Sequence, residues 1–334
     1  MRAARLYAVA DLRVGDEPMP VPGPGESLVR VTAIGICGSD LHWWDQGGIG
    51  DAALDHPLVL GHEAAGVIAE GPRRGQRVAI DPAIPDGTCR PCREGYRNLC
   101  LNIRFAGHGK QDGALREFMT WPDELLHPLP DEVSDADGAV LEPLGVAIHA
   151  LDLGHVHLGA PVVVVGAGPI GLLLVQLLRV SGAGPVTVFE PLPHRRAAAA
   201  TLGAAVADPA DAEPGALRAL VGEGAAVAFE IAGSSEAVQL AMAATWAGGR
   251  VVLGGIPDDD TTTFRAAVAR RKGLTIAMVR RMNEVYPRAI ALAAGQRVDL
   301  TSLVTDRYPL EDAAAAFGHA ARRTGLKVII EPAP

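Results

Sequence analysis

Four residues from three short segments carry the side chains of a metal site. Cys37 lies in GICGSD, His62 and Glu63 lie in GHEAAG, and Glu142 lies in LEPLGVAIHA. Zinc accepts a thiolate, an imidazole and a carboxylate, and three protein ligands leave one tetrahedral position open for water or substrate. A metal held in this way lowers the pKa of a bound hydroxyl and activates it near neutral pH. The segments therefore predict a catalytic metal, with either Glu63 or Glu142 as the carboxylate ligand.

Three polar residues close to Cys37 are expected to support this metal. Asp40 is predicted to accept a hydrogen bond from the ring nitrogen of His62 that does not bind the ion. Ser39 and His42 are predicted to carry the proton of the activated hydroxyl to water. A lone buried cysteine or histidine is more often structural, so the prediction depends on the whole set.

The segment VVVVGAGPIG (162–171) has the pattern of a strand that turns into a helix at a dinucleotide-binding loop. Gly166 permits the tight turn, Gly168 lets a pyrophosphate approach the backbone, and Gly171 lets the helix pack close to the sheet. Pro169 and Ile170 complete the turn, and the positive end of the helix faces the phosphates. The apolar strand before the motif and the apolar helix after it predict a site for a nicotinamide cofactor.

The next strand ends at Glu190, 19 residues after Gly171. A carboxylate at this point accepts hydrogen bonds from the adenosine ribose and disfavours a 2′-phosphate. The sequence therefore predicts NAD rather than NADP. Arg195 and Arg196 follow closely. Arg195 is a candidate cofactor ligand, and both arginines would weaken the preference if they faced the ribose.

The composition excludes several classes of protein. The formal net charge of −9 argues against a broad nucleic-acid surface, which needs a basic face. No run of about 18 apolar residues is free of charges and turn signals, so a membrane span is not expected. The first residues lack the apolar stretch of a signal peptide. Three of the four cysteines lie within twelve positions, which favours a metal over disulfides. We expect a cytoplasmic protein.

A chain of 334 residues suits two domains, and its pattern of predicted strands and helices changes twice along the sequence. Residues 1–147 are expected to form short strands and loops in a compact antiparallel β domain. Residues 148–284 alternate strands and helices, which predicts a doubly wound parallel sheet. Residues 285–334 contain a predicted helix over 308–323 and a final strand, and are expected to return to the first domain. The predicted fold class is α/β with an inserted parallel-sheet domain.

The segments GICGSDLH, PLVLGHEAAG, LEPLGVAIHA and GAGPIG together resemble the zinc-dependent medium-chain dehydrogenase/reductase family. The resemblance runs nearly from end to end. IGD (49–51), RVAIDP (77–82) and VTDRYPLEDAAAAF (304–317) make the chain most similar to the branch of sorbitol, xylitol and related polyol dehydrogenases. The resemblance implies a GroES-like β-rich catalytic domain with an inserted Rossmann domain.

The same resemblance implies a catalytic zinc and NAD as cofactors. The zinc would be held by Cys37 and His62, with Glu63 as a direct or water-bridged ligand and Glu142 close by. Members of the family are dimers or tetramers. The segment LTIAMV (274–279) is expected to pair across a dimer.

A second, structural zinc is implied by the loop DGTCRPCREGYRNLC. Relatives with this zinc usually have four cysteines there, whereas here Asp86 precedes Cys89, Cys92 and Cys100. A carboxylate oxygen completes a tetrahedral site with three thiolates, so a zinc ion that staples the loop is predicted. The alternative is a reduced loop with three free thiols.

Four residues are the candidates for contact with substrate: Trp43, Phe105, Arg280 and Arg281. Sorbitol-type enzymes have an arginine followed by an aromatic residue in the last segment. Arg280 matches this pattern and Arg281 departs from it, which disfavours sorbitol itself. A second cation favours a sugar acid such as idonate or another anionic substrate, unless it faces the cofactor phosphates or solvent.

The predicted activity is hydride transfer between NAD and a secondary alcohol of a small polyol, sugar or cyclitol. A sugar acid such as L-idonate or an amino alcohol is the alternative substrate. A zinc-free quinone reductase shares the fold but lacks the metal ligands. The alternative of a different class is a non-catalytic NAD-binding sensor or structural protein, which has no use for the open metal position that Cys37 and His62 imply.

Overall fold

The structure is a computed structural model that describes residues 1–212 and 214–332 and contains two compact units. Unit 1 comprises Met1–Glu142 and Asn283–Pro334, and unit 2 comprises Pro143–Met282. The boundaries predicted from the sequence, 147/148 and 284/285, lie five and two residues further along the chain. The first boundary falls inside one continuous helix, Asp135–Gly154, so no change of local pattern marks it.

The described residues form twenty strands and ten α-helices. The strands are β1 Arg2–Ala8, β2 Asp11–Asp16, β3 Glu26–Gly35, β4 Gly48–Ile49, β5 Ala52–Ala53, β6 Leu58–Val59, β7 Glu63–Glu70, β8 Arg77–Ile80, β9 Ala83–Ile84, β10 Arg104–Phe105, β11 Phe118–Pro122, β12 Leu126–Pro128, β13 Val162–Val165, β14 Val186–Phe189, β15 Ala205–Ala207, β16 Ala225–Glu230, β17 Thr245–Leu253, β18 Thr275–Met278, β19 Val304–Pro309 and β20 Lys327–Glu331. The helices are α1 Gly38–Gln46, α2 Arg90–Arg93, α3 Asp135–Gly154, α4 Pro169–Val180, α5 Pro193–Thr201, α6 Pro214–Val221, α7 Ser235–Ala244, α8 Ala266–Lys272, α9 Tyr286–Ala294 and α10 Ala313–Ala321.

Unit 1 is built on a seven-stranded sheet. Six strands follow the order β12-β8-β7-β3-β20-β19, and β11 pairs with β3 as well. Only β19 and β20 are parallel neighbours among the pairs of this sheet in the described residues. β20 belongs to the C-terminal segment, and Ile330 lies opposite Ile34 of β3. This pairing places β20 in the core of unit 1, where Ile329 and Ile330 are buried.

A glycine separates β6 from β7 and places two predicted ligands where the chain turns. β6 pairs with β1, whereas β7 pairs with β3 and β8. Gly61 lies between them with a φ of +90°, and a Cβ there would come within 2.9 Å of Ile34. Only glycine combines this conformation with so little space. His62 and Glu63 therefore stand immediately before and at the start of β7.

Unit 2 contains six parallel strands in the order β15-β14-β13-β16-β17-β18. The first strand lies in the middle and the chain is wound outward in both directions, which is the doubly wound arrangement. All four valines of β13 are buried, as expected for a central parallel strand with helices on both faces. The predicted fold, a β-rich domain with an inserted Rossmann domain, is confirmed.

Two helices differ from the expectation. Residues 135–147, predicted as strands and loops, belong to α3, in which Leu141, Leu144 and Ile148 are buried at helical spacing. Pro143 inside α3 hides this helix from a pattern-based prediction. The helix predicted over 308–323 begins only at Ala313, because Tyr308 and Pro309 belong to β19 alongside β20 and Leu310–Asp312 form a short 3-10 helix. Among the described helices, none combines the length and the apolar character that crossing a membrane requires.

Candidate active site

Three predicted metal ligands meet at one end of the pair formed by β3 and β7. Cys37 comes two residues after β3 and immediately precedes α1. The two strands are antiparallel with Gly35 opposite Glu63, so the end of β3 lies beside the start of β7. Donor atoms of Cys37, His62 and Glu63 all lie within 4.8 Å of one another. A single divalent ion fits such a set of sulfur, nitrogen and oxygen donors.

Asp40 fixes the ring of His62. Its Oδ1 lies 3.3 Å from Nδ1 of His62 and accepts a hydrogen bond from the backbone N–H of Gly61 at 3.2 Å. Its Oδ2 accepts a hydrogen bond from the backbone N–H of Cys37 at 2.9 Å. Nε2 of the ring lies 3.4 Å from Oγ of Ser39. A carboxylate on Nδ1 leaves Nε2 for a metal and orients it.

Asp40 and His62 are both buried, but charges and hydrogen bonds together affect their pKa values more than burial does. Burial alone would lower the pKa of His62, but Asp40 and Cys37 raise that pKa well above its usual value. Burial raises the pKa of Asp40, but His62 and the two backbone donors lower it overall. The surroundings of the imidazole are therefore strongly negative and favour a cation, whether a proton or a metal ion.

Lys327 is a site residue that the sequence motifs do not indicate. Its ammonium forms an ion pair with Oε2 of Glu63 and donates a hydrogen bond to the carbonyl of Ile36 at 3.0 Å. Both charged side chains are buried, with 2% and 1% of their surface exposed. Oε1 of Glu63 is buried and has no hydrogen-bond partner among the described residues. A metal ion would satisfy this oxygen, so the residues present fit the ion.

Glu142 lies buried in α3, close to the same group. Burial raises its pKa to about 7, and the charge of Glu63 adds to the effect although His62 and Lys327 oppose it. Its carboxylate is not among the donor atoms that cluster within 4.8 Å in the described part of the chain. The cluster of donor atoms thus includes the carboxylate of Glu63 but not that of Glu142.

Asp81 and Tyr286 complete the polar surroundings of Glu142 and were also not predicted. Asp81 follows β8, and burial raises its pKa to about 6. Tyr286 begins α9, and its hydroxyl donates a hydrogen bond to the carbonyl of Ile80 at 2.8 Å. Burial and then the charges of Asp81 and Glu142 raise the pKa of Tyr286 well above its usual value. RVAIDP contained a signal for Asp81, since an acidic residue ends an apolar strand there.

The other predicted residues of unit 1 differ in how close they lie to the metal ligands. The ring of Phe105 packs beside the ring of His62, with centroids 5.3 Å apart. His42 lies on α1 one turn after Ser39, with Nδ1 at 3.4 Å from the side-chain oxygen of Gln46. Trp43 is buried in the core and packs edge-on against the ring of His108 at 5.4 Å. Phe105 thus packs against a predicted metal ligand, whereas the ring of Trp43 contacts that of His108.

The second predicted metal site also comes together in unit 1. Donor atoms of four residues lie within 4.8 Å of one another: Asp86, Cys89, Cys92 and Cys100. Burial, with the neighbouring thiols, raises the pKa of Cys92 to about 12. The Cys92 thiol ionises near neutrality only if a cation stabilises its thiolate, so this donor set fits zinc as well.

Asp86 is held firmly as the oxygen donor of this site. Its Oδ1 accepts hydrogen bonds from the backbone N–H groups of Thr88 (2.8 Å) and Cys89 (2.9 Å). Its Oδ2 accepts one from the side chain of Asn102 at 2.6 Å. These bonds, led by that of Cys89, hold the pKa of Asp86 far below its usual value. The carboxylate is therefore ionised and oriented before any ion binds.

In unit 2, the glycine loop joins β13 to α4. Gly166 has a φ of +101°, and a Cβ on Gly171 would overlap the carbonyl of Gly166. Gly168 precedes α4, and Pro169 and Ile170 are its first two residues. The first turn of this twelve-residue helix has backbone N–H groups without helical partners. Such a helix end, reached through a loop without side chains, is a binding site for phosphate.

Glu190 is fixed beside this loop. Its Oε2 accepts a hydrogen bond from the backbone N–H of Ala167 at 2.7 Å, and its Oε1 accepts one from Leu192 at 2.9 Å. A carboxylate has about four acceptor positions, so two remain for ribose hydroxyls. The buried side chain thus stands where the sequence predicts a ribose ligand.

The four predicted or neighbouring arginines of unit 2 have different surroundings. Arg196 donates to the carbonyl of Glu190 and to Asp208, which makes it structural. Nη1 of Arg195 lies 3.7 Å from the position of a Cβ on Gly168, so its charge is beside the glycine loop. Arg280 and Arg281 follow β18, and Arg281 has a φ of +55°.

Comparisons with known proteins agree with this geometry. Residues 23–131 match the family model of the alcohol dehydrogenase GroES-like domain, and residues 169–295 match that of the zinc-binding dehydrogenases. The chain is 36% identical to sorbitol dehydrogenase of Macaca fascicularis over 340 residues, which cover 98% of this chain and 95% of the relative.

Solved structures of dehydrogenases superimpose on the whole chain. L-Idonate 5-dehydrogenase from Escherichia coli gives a TM-score of 0.92 at 27% identity and covers 99% of this chain and 97% of its own. Galactitol-1-phosphate dehydrogenase from the same species gives 0.90 at 26% identity, covering 99% and 100%. The chain therefore belongs to the zinc-dependent medium-chain dehydrogenase/reductase family, in its polyol dehydrogenase branch.

Proposed function

We propose that the chain reversibly oxidises a secondary alcohol of a polyol, sugar or cyclitol to a ketone, with zinc and NAD as cofactors. The observation that carries the proposal is the cluster of donor atoms from Cys37, His62 and Glu63 within 4.8 Å. The likeness to sorbitol dehydrogenase supports the substrate class. When bound, zinc supplies a Lewis acid for the alcohol oxygen, and NAD accepts the hydride.

Residues of unit 1 hold the ion and move the proton. Cys37, His62 and Glu63 are the proposed ligands, and Asp40 orients the imidazole through Nδ1. The hydroxyl of Ser39, 3.4 Å from Nε2 of His62, takes the proton of the alcohol. His42 follows three residues later on the same face of α1 and passes the proton to water.

Residues of unit 2 bind the cofactor. Gly166, Gly168 and Gly171 leave room for the pyrophosphate at the N-terminus of α4. Glu190 accepts hydrogen bonds from the ribose hydroxyls and repels a 2′-phosphate, so NAD is preferred over NADP. Arg195 adds a positive charge beside Gly168, where it pairs with the cofactor.

A second zinc in the loop of Asp86, Cys89, Cys92 and Cys100 is proposed as structural. Four protein donors close the coordination sphere and leave no position for substrate. The ion would fix a loop that otherwise contains only the four-residue helix α2 and the 3-10 helix Arg97–Leu99 as helical structure in the described residues. Its role is therefore stability rather than chemistry.

The test is a panel of sorbitol, xylitol, a cyclitol, L-idonate and an amino alcohol, each assayed with NAD and NADP by the absorbance of the reduced cofactor. Elemental analysis of the same sample gives the zinc content. The control is Cys37→Ala, which we expect to abolish turnover while leaving NAD binding in unit 2 intact. Turnover of no alcohol by zinc-loaded protein, or full activity of Cys37→Ala, would contradict the proposal.

A sugar acid such as L-idonate is the second candidate substrate. Arg280 and Arg281 place two adjacent cations after β18, where a carboxylate of the substrate would be neutralised. Turnover of L-idonate that exceeds turnover of xylitol, and that falls in Arg281→Gln, would favour this candidate. Equal effects of Arg281→Gln on both substrates would exclude it.

We also propose a homodimer or homotetramer in the cytoplasm. β18 is an edge strand of the six-stranded sheet, and it exposes Ile276 and Met278. An open edge with apolar side chains pairs readily with a second copy. The thiolates proposed as zinc ligands need reducing surroundings, which the cytoplasm provides. Light scattering of the protein and of Ile276→Lys tests the assembly, since the variant should dissociate.

A further inference from the structure

The chain segment that re-enters unit 1 is attached to the loop of the second metal site. We call residues 86–102 the metal lobe. The side-chain nitrogen of Asn283 donates a hydrogen bond to the carbonyl of Gly95 at 3.0 Å. Nη1 of Arg97 donates to Oε1 of Glu284 at 3.1 Å. Gly95 and Arg97 lie between Cys92 and Cys100 in the sequence, so a proposed zinc ligand stands on each side of the attachment.

The backbone at this attachment is in an unusual conformation. Glu284 has a φ of +51°, in the left-handed region that few residues other than glycine adopt. Such a conformation costs free energy and persists where the surroundings hold it. The hydrogen bonds that Asn283 and Glu284 form with the lobe are contacts that can hold this conformation. They fix the first two residues of the returning segment.

Two residues further on, the same segment reaches the backbone at the end of β8, next to Asp81. Tyr286 is buried and donates to the carbonyl of Ile80, the residue before Asp81. Its ring stacks on that of His127, with centroids 4.5 Å apart and planes at 5°. The charges of Asp81 and Glu142 act on its hydroxyl. Residues 283–286 thus touch the metal lobe at one end and the surroundings of Glu142 at the other.

We propose that residues 283–286 are a strap that couples the metal lobe to the end of β8 beside Asp81, with Arg97 and Glu284 as positioning residues. A zinc ion in the lobe holds Cys92 and Cys100, and with them the stretch that carries Gly95 and Arg97. That stretch holds the strap, and the strap holds Tyr286 against the carbonyl of Ile80, next to Asp81. The proposal rests on the zinc site proposed above for the lobe, but not on turnover of any substrate.

Coupling between two sites is reciprocal, which makes the strap measurable from the lobe. If zinc binding in the lobe stabilises the strap, then loss of the strap contacts lowers the zinc affinity of the lobe by the same factor. The pair of Arg97 and Glu284 is exposed, with 38% and 61% of the side chains accessible. Exposed pairs contribute little, so we expect a decrease in zinc affinity of about two- to five-fold.

The first experiment is a zinc titration against a chelator in full-length Cys37→Ser protein, which isolates the lobe as the thiolate site. Glu284→Gln and Asn283→Ala should each lower the zinc affinity. Glu124→Gln is the matched control, because Glu124 also faces Arg97, at 3.7 Å, but lies outside the strap. The zinc affinity of Glu124→Gln should equal that of the parent Cys37→Ser protein. An equal loss in Glu124→Gln, or no loss in the strap variants, would overturn the proposal.

The second experiment is hydrogen exchange read by mass spectrometry, in zinc-loaded protein and in Cys89→Ser. Loss of lobe zinc should speed exchange in peptides from residues 283–294 as well as in the lobe, while β20 serves as an internal reference for global stability. Faster exchange confined to residues 86–102 would overturn the coupling. The double variant Arg97→Glu with Glu284→Arg reverses the ion pair. Compared with Glu284→Gln, it should recover both the zinc affinity of the lobe and the protection of the strap from exchange. Neither experiment uses activity, so failure of the substrate panel leaves their outcome interpretable.

Discussion

Lys327 and Glu63 form an ion pair that is buried on both sides, although 264 residues separate them in the chain. Removing one partner of a buried pair leaves an uncompensated charge, which typically costs about 3–5 kcal/mol. We therefore expect Lys327→Met to lower the free energy of unfolding by several kcal/mol, measured in urea. Zinc should reduce this loss, because the ion compensates the charge of Glu63. An equal loss with and without zinc would place Glu63 outside the metal site, and Lys327→Arg is the conservative control.

Gly35 leaves the space that the carboxylate of Glu63 occupies. A Cβ at this position would overlap Oε2 of Glu63 and touch the side chain of Lys327. Gly35→Ala should displace the carboxylate and lower both the zinc content and kcat. Gly38→Ala is the matched control, since in the described part of the chain, beyond the adjacent residues and the backbone of α1 itself, no atom lies within 4 Å of its Cβ position. Unchanged zinc content in Gly35→Ala would show that Glu63 is not a ligand.

Glu190 should set the cofactor preference. Glu190→Ala removes the proposed ribose acceptor and the repulsion of a 2′-phosphate, so the ratio of kcat/KM for NAD over NADP should fall, by about ten-fold if one charged hydrogen bond is lost. Glu190→Gln keeps the shape but only one of the two hydrogen bonds from Ala167 and Leu192, because its amide nitrogen donates and cannot accept. The melting temperature of each variant separates cofactor binding from folding. An unchanged ratio would argue against the ribose assignment.

Asp86 should be needed for the second zinc. Asp86→Ala removes the oxygen donor, so zinc content should fall by up to one atom per chain and the melting temperature should fall with it. Asp86→Cys supplies a fourth thiolate and should keep the metal. If Asp86→Ala kept both its zinc content and its melting temperature, Asp86 would not be a ligand and the three thiols alone would form the site.

Asp81 should make stability depend on pH. Burial raises its pKa in the folded protein to about 6, from a usual value of 3.8, so the folded state binds this proton more tightly than the unfolded chain. Its favourable contribution is complete below about pH 4 and is lost as the pH rises through 6. Asp81→Asn should therefore be more stable than the parent protein at pH 8, by about 1–2 kcal/mol for a partly buried group, and equal to it at pH 4. Denaturation of both proteins across this range, with the exposed Asp16→Asn as control, checks the sign.

The chemical character of the sites was already present in the sequence. Cys37, His62 and Asp86 are recognisable because metals select ligand types, and the three glycines of residues 166–171 are recognisable because a phosphate loop excludes side chains. The doubly wound sheet follows from alternating strands and helices, which allow few topologies. Local pattern and residue chemistry are enough for such features.

Other features depend on which distant segments pair, and only the tertiary structure decided them. Whether Glu63 or Glu142 faces Cys37 is set by the register of β3 and β7, in which Gly35 lies opposite Glu63. Lys327 reaches the site because β20 pairs with β3, a contact that leaves no local pattern. A single lysine in a strand is compatible with surface or core, and its role is fixed only by the charge against which it is buried.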